Sequence, residues 1–244
     1  MLATLRAWLI IAPLIVLATA LCGTLSWLLA LVDSSGRKPH RIAQLWARLL
    51  LAIGGVRVRV EGLEHLDPQG AYVFASNHLS LMDTPLVLAN IPVQFRFLAK
   101  RSLYKVPFIG SHLRRAGHIP VEREDPRASL RTLAEAARIV RERRVSILVF
   151  PEGSRSRGQL GQFKEGAAYI AIKAGVPLVP LGIQGTQKIL PAGSLTVRPG
   201  PAVLRVGRPI PTAHYNVNEH RRLTALLRER VAELIDAAPS RATA

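Results

Sequence analysis

Short apolar runs alternate with segments of helical periodicity from residue 56 onward. The runs predict strands, because they are brief and rich in valine, isoleucine and leucine. The predicted strands are 56–60, 71–76, 94–99, 117–121, 145–150, 176–183 and 202–206. The predicted helices are 85–90, 109–116, 127–143, 165–174 and 218–237. This alternation predicts an α/β fold in which helices flank a mixed sheet.

The N-terminal segment has a different pattern, since residues 7–32 carry no charge and are mostly Leu, Ile, Ala and Val. About 20 apolar residues cross a bilayer as a helix, and Trp8 and Trp27 suit the two interfaces. A signal peptide is the alternative, but its apolar region is normally about 7–15 residues long. We predict a membrane helix, which Pro13 and Gly23 allow to bend back within one leaflet.

A second, amphipathic helix is predicted over residues 40–53, where apolar side chains recur at helical spacing. Such a helix can lie in the headgroup layer, where it would complete a membrane-embedded two-helix module. The alternative is a helix packed against the folded domain. Gly54 and Gly55 mark the boundary, so we predict N-terminal helices over 1–55, a folded domain over 56–238 and a flexible tail over 239–244.

The formal net charge of +17 requires an anionic partner. Zinc-finger spacings and RNA-binding signatures do not occur, so nucleic acid is not the predicted partner. An anionic membrane surface or a phosphorylated substrate remains. More cations follow the first apolar segment than precede it, which places the folded domain in the cytoplasm. With an arginine-rich and alanine-rich composition, this predicts a bacterial inner-membrane protein.

The strand-like run 71–75 leads into Ser76-Asn77-His78-Leu79-Ser80-Leu81-Met82-Asp83, and Thr84-Pro85 then signals a helix start. Imidazole titrates near neutral pH, so His78 can accept a proton from a hydroxyl. A carboxylate five residues later, Asp83, can orient the ring. The alternative is a capping aspartate beside a histidine that is satisfied within its loop.

Three further motifs follow: Phe150-Pro151-Glu152-Gly153-Ser154-Arg155-Ser156, Phe163-Lys164-Glu165-Gly166 and Val176-Pro177-Leu178-Val179-Pro180. Together with the His78 motif, and in this order, they resemble the glycerolipid acyltransferase family. The most similar branch is that of the 1-acyl-sn-glycerol-3-phosphate acyltransferases. The resemblance covers roughly residues 55 to 210.

The resemblance implies acyl transfer from acyl-CoA or acyl carrier protein to the free hydroxyl of 1-acyl-sn-glycerol 3-phosphate. The product would be phosphatidic acid, an intermediate of phospholipid biosynthesis. His78 would be the general base and Asp83 its orienting partner, with Asn77 and Ser80 supporting the loop. Since a thioester is already activated, we predict direct attack without an acyl-enzyme, a cofactor or a metal ion.

The second motif supplies predicted acceptor-binding residues. By the same resemblance, Glu152, Gly153 and Arg155 bind the acceptor, because an arginine grips phosphate through parallel hydrogen bonds. Ser154 stands where threonine is commoner in the family and keeps the hydroxyl. The alternative is that Glu152 and Arg155 pair only with each other.

Two more cations are predicted to contact the acceptor phosphate. The segment 117–123 resembles a third family block that ends in Arg123, although Pro120 stands where an aromatic residue is usual. Lys100 is the other candidate. In the block 176–180, two prolines lack the N–H that a sheet requires, so we predict that this strand ends there or lies at a sheet edge.

Other functions remain open at this point. The acceptor could instead be lyso-ornithine lipid, glycerol 3-phosphate or another lysophospholipid. A hydrolase would use the same His78–Asp83 pair to activate water. A lipid-binding protein without catalysis is the non-enzyme alternative, and the intact His78–Asp83 pair argues against it.

Overall fold

A computed structural model of the chain describes residues 5–33, 35–121, 126–156 and 159–237. Arg123 and the predicted tail over 239–244 lie outside these residues. The described chain forms a central sheet with helices on both faces, which is the predicted α/β architecture.

The sheet has seven strands within the described residues, and each overlaps one predicted strand. They are β1 (Val56–Glu61), β2 (Val73–Ser76), β3 (Phe95–Lys100), β4 (Ile119–Val121), β5 (Ser146–Val149), β6 (Leu178–Gln184) and β7 (Gly200–Val206). The order is β1-β7-β6-β2-β5-β3-β4. Only the β6–β7 pair is antiparallel. The sheet is therefore mixed, as predicted.

The helices form two layers. They are α1 (Ala7–Leu29), α2 (Arg37–Ile53), α3 (Asp83–Asn90), α4 (Ile109–Arg115), α5 (Pro126–Arg143), α6 (Gly166–Ala174), α7 (Thr186–Ile189) and α8 (His220–Asp236). Phe74, Phe95 and Leu86 belong to the core between the sheet and α1–α3. Ile147, Ile170 and Leu227 belong to the core beneath α5, α6 and α8. The short helix α7 was not predicted.

The prediction of an edge position for the proline-containing strand is wrong. β6 lies inside the sheet between β2 and β7, and Pro180 is paired in register with Ala75. The carbonyl of Pro180 accepts the N–H of Gly207, 2.9 Å away. The N–H and C=O of one strand residue point to the same side, so the missing donor of Pro180 faces β7. The antiparallel pairing of β6 with β7 begins only at Leu181. The missing N–H of Pro180 therefore destabilises the sheet little.

The N-terminal helices pack against the folded domain. α1 is long and apolar enough to cross a membrane, and most of its surface is exposed. α2 buries Ala43, Ala47 and Leu51 in the core shared with α3. The sequence allowed either a helix in the headgroup layer or a helix packed against the folded domain, and α2 is packed. The indole N–H of Trp46 donates to the Thr19 hydroxyl at 3.0 Å and joins the two helices.

Three histidines lie where α1, α2 and α4 meet β3, with His40 and His118 buried and His112 partly buried. His118 Nδ1 accepts the N–H of Phe97 at 2.8 Å, and His112 Nδ1 lies 2.7 Å from the Ser26 hydroxyl. Burial and, to a lesser extent, the Arg96 guanidinium lower the pKa of His112 from 6.5 to about 4. The same two causes lower the pKa of His40 to about 3, and burial holds the pKa of His118 well below 6.5. All three rings are therefore neutral in the folded protein near pH 7.

We expect these histidines to make the protein less stable in mild acid. Below about pH 6.5 these histidines bind protons in the unfolded chain but not in the folded chain. Their contribution to stability is therefore constant above that pH and falls as the pH is lowered toward 4. Thermal unfolding measured from pH 8 to pH 4.5 should show this decline, and His112→Gln should make it shallower. Exposed His214→Gln serves as the control. A melting temperature that stays constant between pH 7 and pH 5 would contradict the expectation.

Candidate active site

The predicted catalytic residues lie at the carboxyl ends of parallel strands. His78 follows β2, and the second motif follows β5, which pairs with β2 in parallel. This edge is where open α/β sheets bind ligands. The pairing of β2 with β5 brings together two motifs that are distant in the sequence.

His78 and Asp83 form a hydrogen-bonded pair, with 2.8 Å between Nδ1 and Oδ2. The Asp83 side chain is fully buried, and Oδ2 also accepts the N–H groups of Leu79 and Ser80 at 2.6 and 2.8 Å. Because an ionised carboxylate only accepts hydrogen bonds, the ring proton of His78 is assigned to Nδ1. Nε2 then carries the lone pair that a general base needs. Asp83 therefore orients the ring and also stabilises its loop.

Thr186 completes this pair and was missed by the sequence analysis. Its buried hydroxyl donates to Asp83 Oδ1 at 2.5 Å. Thr186 begins α7, directly after Gly185, whose φ of +89° suits glycine. No local motif marks a threonine that lies 103 residues from its aspartate.

The His78 ring stacks on Phe150 at the end of β5, with the ring centroids 4.2 Å apart. The prediction singled out the motif that begins with Phe150 but gave this residue no role. The stacking holds one face of the imidazole, and 17% of the His78 side chain is exposed. The ring is thus fixed in position yet open to a substrate.

The loop after β5 clamps the backbone of His78. Glu152 Oε1 accepts the N–H of His78 at 2.7 Å, and the N–H of Ser156 donates to the His78 carbonyl at 2.7 Å. The other carboxylate oxygen of Glu152 accepts the N–H of Gly161 at 3.0 Å. Glu152 therefore joins two loops through backbone contacts, whereas the alternative of a Glu152–Arg155 pair does not occur among the described residues.

The rest of the loop after β5 contains Arg155, whose side chain can contact a ligand. Gly153 adopts a φ of +74°, and an added Cβ would lie 3.2 Å from Lys164 Cε, so glycine suits the turn. Ser154 is exposed, and Arg155 is partly exposed without an ion pair in the described part of the chain. The Arg155 guanidinium can therefore meet an external anion.

Asn77 and Ser80 brace the His78 loop from inside. The Asn77 side chain accepts the N–H of Ile183 at 2.8 Å and donates to its carbonyl at 2.9 Å. The Ser80 hydroxyl donates to the Leu190 carbonyl at 2.7 Å. Both residues are buried, so they tie the loop to β6 and to the segment after α7.

A cavity of about 430 Å³ opens beside the His78 ring. Its walls are mostly apolar and come from four helices and β3, for example Ile15, Trp46, Leu88, Phe97 and Leu113. Phe150 and Lys100 also line it, and Lys100 is exposed at the end of β3. A cavity of this size holds a small or medium-sized apolar ligand. The predicted base thus borders an apolar space with a cation nearby, while Arg123 lies outside the described residues.

The chain is similar to known acyltransferases. It is 33% identical over 172 residues to a 1-acyl-sn-glycerol-3-phosphate acyltransferase from Limnanthes douglasii, covering 70% of this chain and 60% of that protein. The chain therefore spans less than two thirds of the length of that plant relative. It is 30% identical over 223 residues to the Pseudomonas aeruginosa protein of the same name, covering 87% of this chain and 85% of that one.

The fold also matches a solved structure. The 1-acyl-sn-glycerophosphate acyltransferase PlsC from Thermotoga maritima superposes with a TM-score of 0.79 and 25% identity, covering 97% of this chain and 98% of that chain. Residues 57–184 match the acyltransferase family model, a region that begins in β1 and ends with β6. The resemblance predicted from the motifs is confirmed. This protein belongs to the acyltransferase family.

Proposed function

We propose that this protein transfers a fatty acyl group from an acyl thioester to the free hydroxyl of 1-acyl-sn-glycerol 3-phosphate, giving phosphatidic acid. The observation that carries the proposal is the His78–Asp83 pair at the edge of an apolar cavity. Relatives named for this activity support it, including two that come from bacteria.

In the proposed reaction, His78 Nε2 takes the proton of the lipid hydroxyl while its oxygen attacks the thioester carbon. A C–O bond forms, and a tetrahedral oxyanion results. The Asp83 carboxylate stabilises the imidazolium that forms. When the C–S bond breaks, the imidazolium returns its proton to the departing thiolate. This sequence balances without an acyl-enzyme or a cofactor, because the thioester is already activated.

The cavity and the nearby cations suit different parts of the substrate. The apolar walls suit an acyl chain, and an exposed Lys100 at the same cavity suits a phosphate. We assign Arg155 to the phosphate as well, together with Arg123, which completes the third sequence block. Glu152 and Gly153 shape the loop that presents Arg155, and Ser154 belongs to the same exposed turn.

We also propose a membrane location for this reaction. α1 and its companion α2 form an N-terminal unit over residues 1–55 that holds the catalytic domain, 56–238, at the cytoplasmic face of a bacterial inner membrane. The long apolar helix supports this arrangement, because an acceptor with one acyl chain resides in the bilayer. The donor is acyl-CoA or the acidic acyl carrier protein, which would suit a net charge of +17.

One assay tests the proposed function. Purified protein in lipid vesicles receives a labelled acyl thioester and a panel of lysolipids, and the products are resolved by mass. Labelled phosphatidic acid is the expected product. Transfer only to lyso-ornithine lipid, or to another acceptor, would overturn the acceptor assignment. Free fatty acid formed without an acceptor would indicate a hydrolase.

Arg155→Ala should weaken acceptor binding without abolishing turnover. A charged hydrogen bond contributes about 1.5–3 kcal/mol, so the KM for the lysolipid should rise about 10- to 100-fold. Initial rates against acceptor concentration measure this change. Arg57→Ala on strand β1 is the control, since that arginine is exposed and lies at the sheet edge. An unchanged KM in Arg155→Ala would remove the residue from the acceptor site.

A further inference from the structure

The motif Phe163-Lys164-Glu165-Gly166 has no role in the reaction described above, and packing accounts for three of its four residues. Phe163 is partly buried against the core beneath α5, α6 and α8. The Glu165 carboxylate forms ion pairs of 2.8 and 3.1 Å with the first two residues of α8. Gly166 begins α6, where an added Cβ would lie 3.0 Å from a leucine of α5. These contacts anchor the segment but give the Lys164 side chain no structural role.

The Lys164 side chain lies against the loop that follows β5. The N–H of Lys164 donates to the Pro151 carbonyl at 2.9 Å, which brings the two segments together. A Cβ added at Gly153 would lie 3.2 Å from Lys164 Cε and 3.3 Å from Lys164 Nζ. The ammonium group therefore lies beside the space that glycine leaves open, two residues before Arg155.

The acidic residues next to this position bind other groups. Glu152 precedes Gly153, and both of its carboxylate oxygens accept backbone N–H groups. Glu165 follows Lys164, and both of its oxygens face α8. Lys164 is exposed and, like Arg155, makes no ion pair within the part of the chain that the structure describes. Two unpaired cations on one loop repel each other, so an anion that contacts both is favoured.

We propose that Lys164 binds a substrate phosphate together with Arg155. Lysine supplies a compact charge with three donors and arginine a planar fork, so the two can share the oxygens of one phosphate. The phosphate belongs to the lysolipid acceptor or to the phosphopantetheine arm of the acyl donor. This inference rests on the proposed function for the identity of both substrates.

Protection from acetylation tests the site without turnover. The intact protein, in phosphate-free maltoside micelles, reacts with acetic anhydride, and acetylation of each lysine is followed by mass spectrometry. The probes are 1-acyl-sn-glycerol 3-phosphate without a donor and free coenzyme A without an acceptor. Lys173 is the matched control, because it is also exposed and lies nine residues further along, near the end of α6. We expect one of the probes to slow acetylation of Lys164 several-fold and to leave Lys173 unaffected.

The two probes distinguish the two sources of phosphate. Protection by the lysolipid assigns the phosphate to the acceptor, and protection by coenzyme A assigns it to the donor. Monoacylglycerol has the same chain without the phosphate and should not protect Lys164. Acetylation of Lys164 that neither phosphate probe slows would overturn the proposal, as would equal protection by monoacylglycerol or equal protection of Lys173.

Acyl transfer by the same preparation is measured in parallel, which separates this inference from the proposed function. Transfer without protection overturns the role of Lys164 alone. Protection without transfer supports that role and counts against the proposed function.

A kinetic comparison tests whether Lys164 acts in binding. Lys164→Gln should raise the KM for the protecting substrate about 10-fold with little change in kcat, because a charged hydrogen bond to the phosphate is lost. Lys164→Arg should restore most of the affinity, since the charge returns. Lys173→Gln should leave both KM values unchanged. An unchanged KM in Lys164→Gln, or a KM that rises equally in Lys164→Arg, would contradict the proposal.

Discussion

Replacing His78 with alanine is expected to reduce acyl transfer about 10²- to 10⁴-fold, because general-base catalysis contributes a factor of this size. The hydroxyl of the acceptor is a poor nucleophile until its proton is removed. His78 is positioned for that step by three restraints: the Asp83 carboxylate, the Phe150 ring and the loop that contains Glu152. The rate of thiol release with saturating lysolipid measures the effect.

The variant should otherwise resemble the parent protein. Membrane association should persist, since the substitution leaves the exposed apolar surface of α1 unchanged. His214→Ala is the matched control, because that imidazole is exposed and precedes α8. If purified His78→Ala retained nearly full turnover, another group would have to be the base.

Replacing Asp83 with asparagine should lower kcat by about 10²- to 10⁴-fold with little change in either KM. Oδ2 accepts three hydrogen bonds, from His78 Nδ1 and from the N–H groups of Leu79 and Ser80. An asparagine amide presents either an uncharged oxygen or an N–H group to these donors. The imidazolium loses its counter-charge in both orientations. Rates at saturating donor and acceptor isolate the effect on kcat.

Thr186 provides a graded comparison for the Asp83 variant. Thr186→Val removes one of four donors to a buried carboxylate, which costs about 1–3 kcal/mol where the acceptor stays unpaired. We expect kcat to fall less than in Asp83→Asn, and Thr186→Ser to restore it, since serine keeps the hydroxyl. A loss of kcat in Thr186→Ser equal to that in Thr186→Val would contradict a role of this hydrogen bond, since serine keeps the hydroxyl that donates it.

Local patterns in the sequence predicted the elements well. Every strand of the described sheet overlaps a predicted one, because short runs of branched apolar residues have few other stable arrangements than a buried strand. The His78–Asp83 pair was also predictable, because the two residues lie five positions apart across one turn. Spacing this short leaves little freedom for the rest of the fold to separate them.

Strand order was less predictable. Pro180 indicated an edge strand, yet β6 lies inside the sheet. A proline lacks the N–H that a sheet hydrogen bond requires, and the free-energy cost depends on what that N–H would have met. The missing N–H of Pro180 would point toward β7 just outside the paired register, and no local sequence pattern indicates this.

The sequence by itself determined the fold class, the apolar N-terminal helix and the motifs that carry the predicted chemistry, because each depends on residues that are close along the chain. Only the tertiary structure decided that Thr186 holds Asp83, that Glu152 binds the backbone of His78, and that helices and β3 enclose an apolar cavity beside the imidazole. These contacts join residues far apart in the sequence. They arise from how the parallel strands align their carboxyl ends and how the helices pack over them.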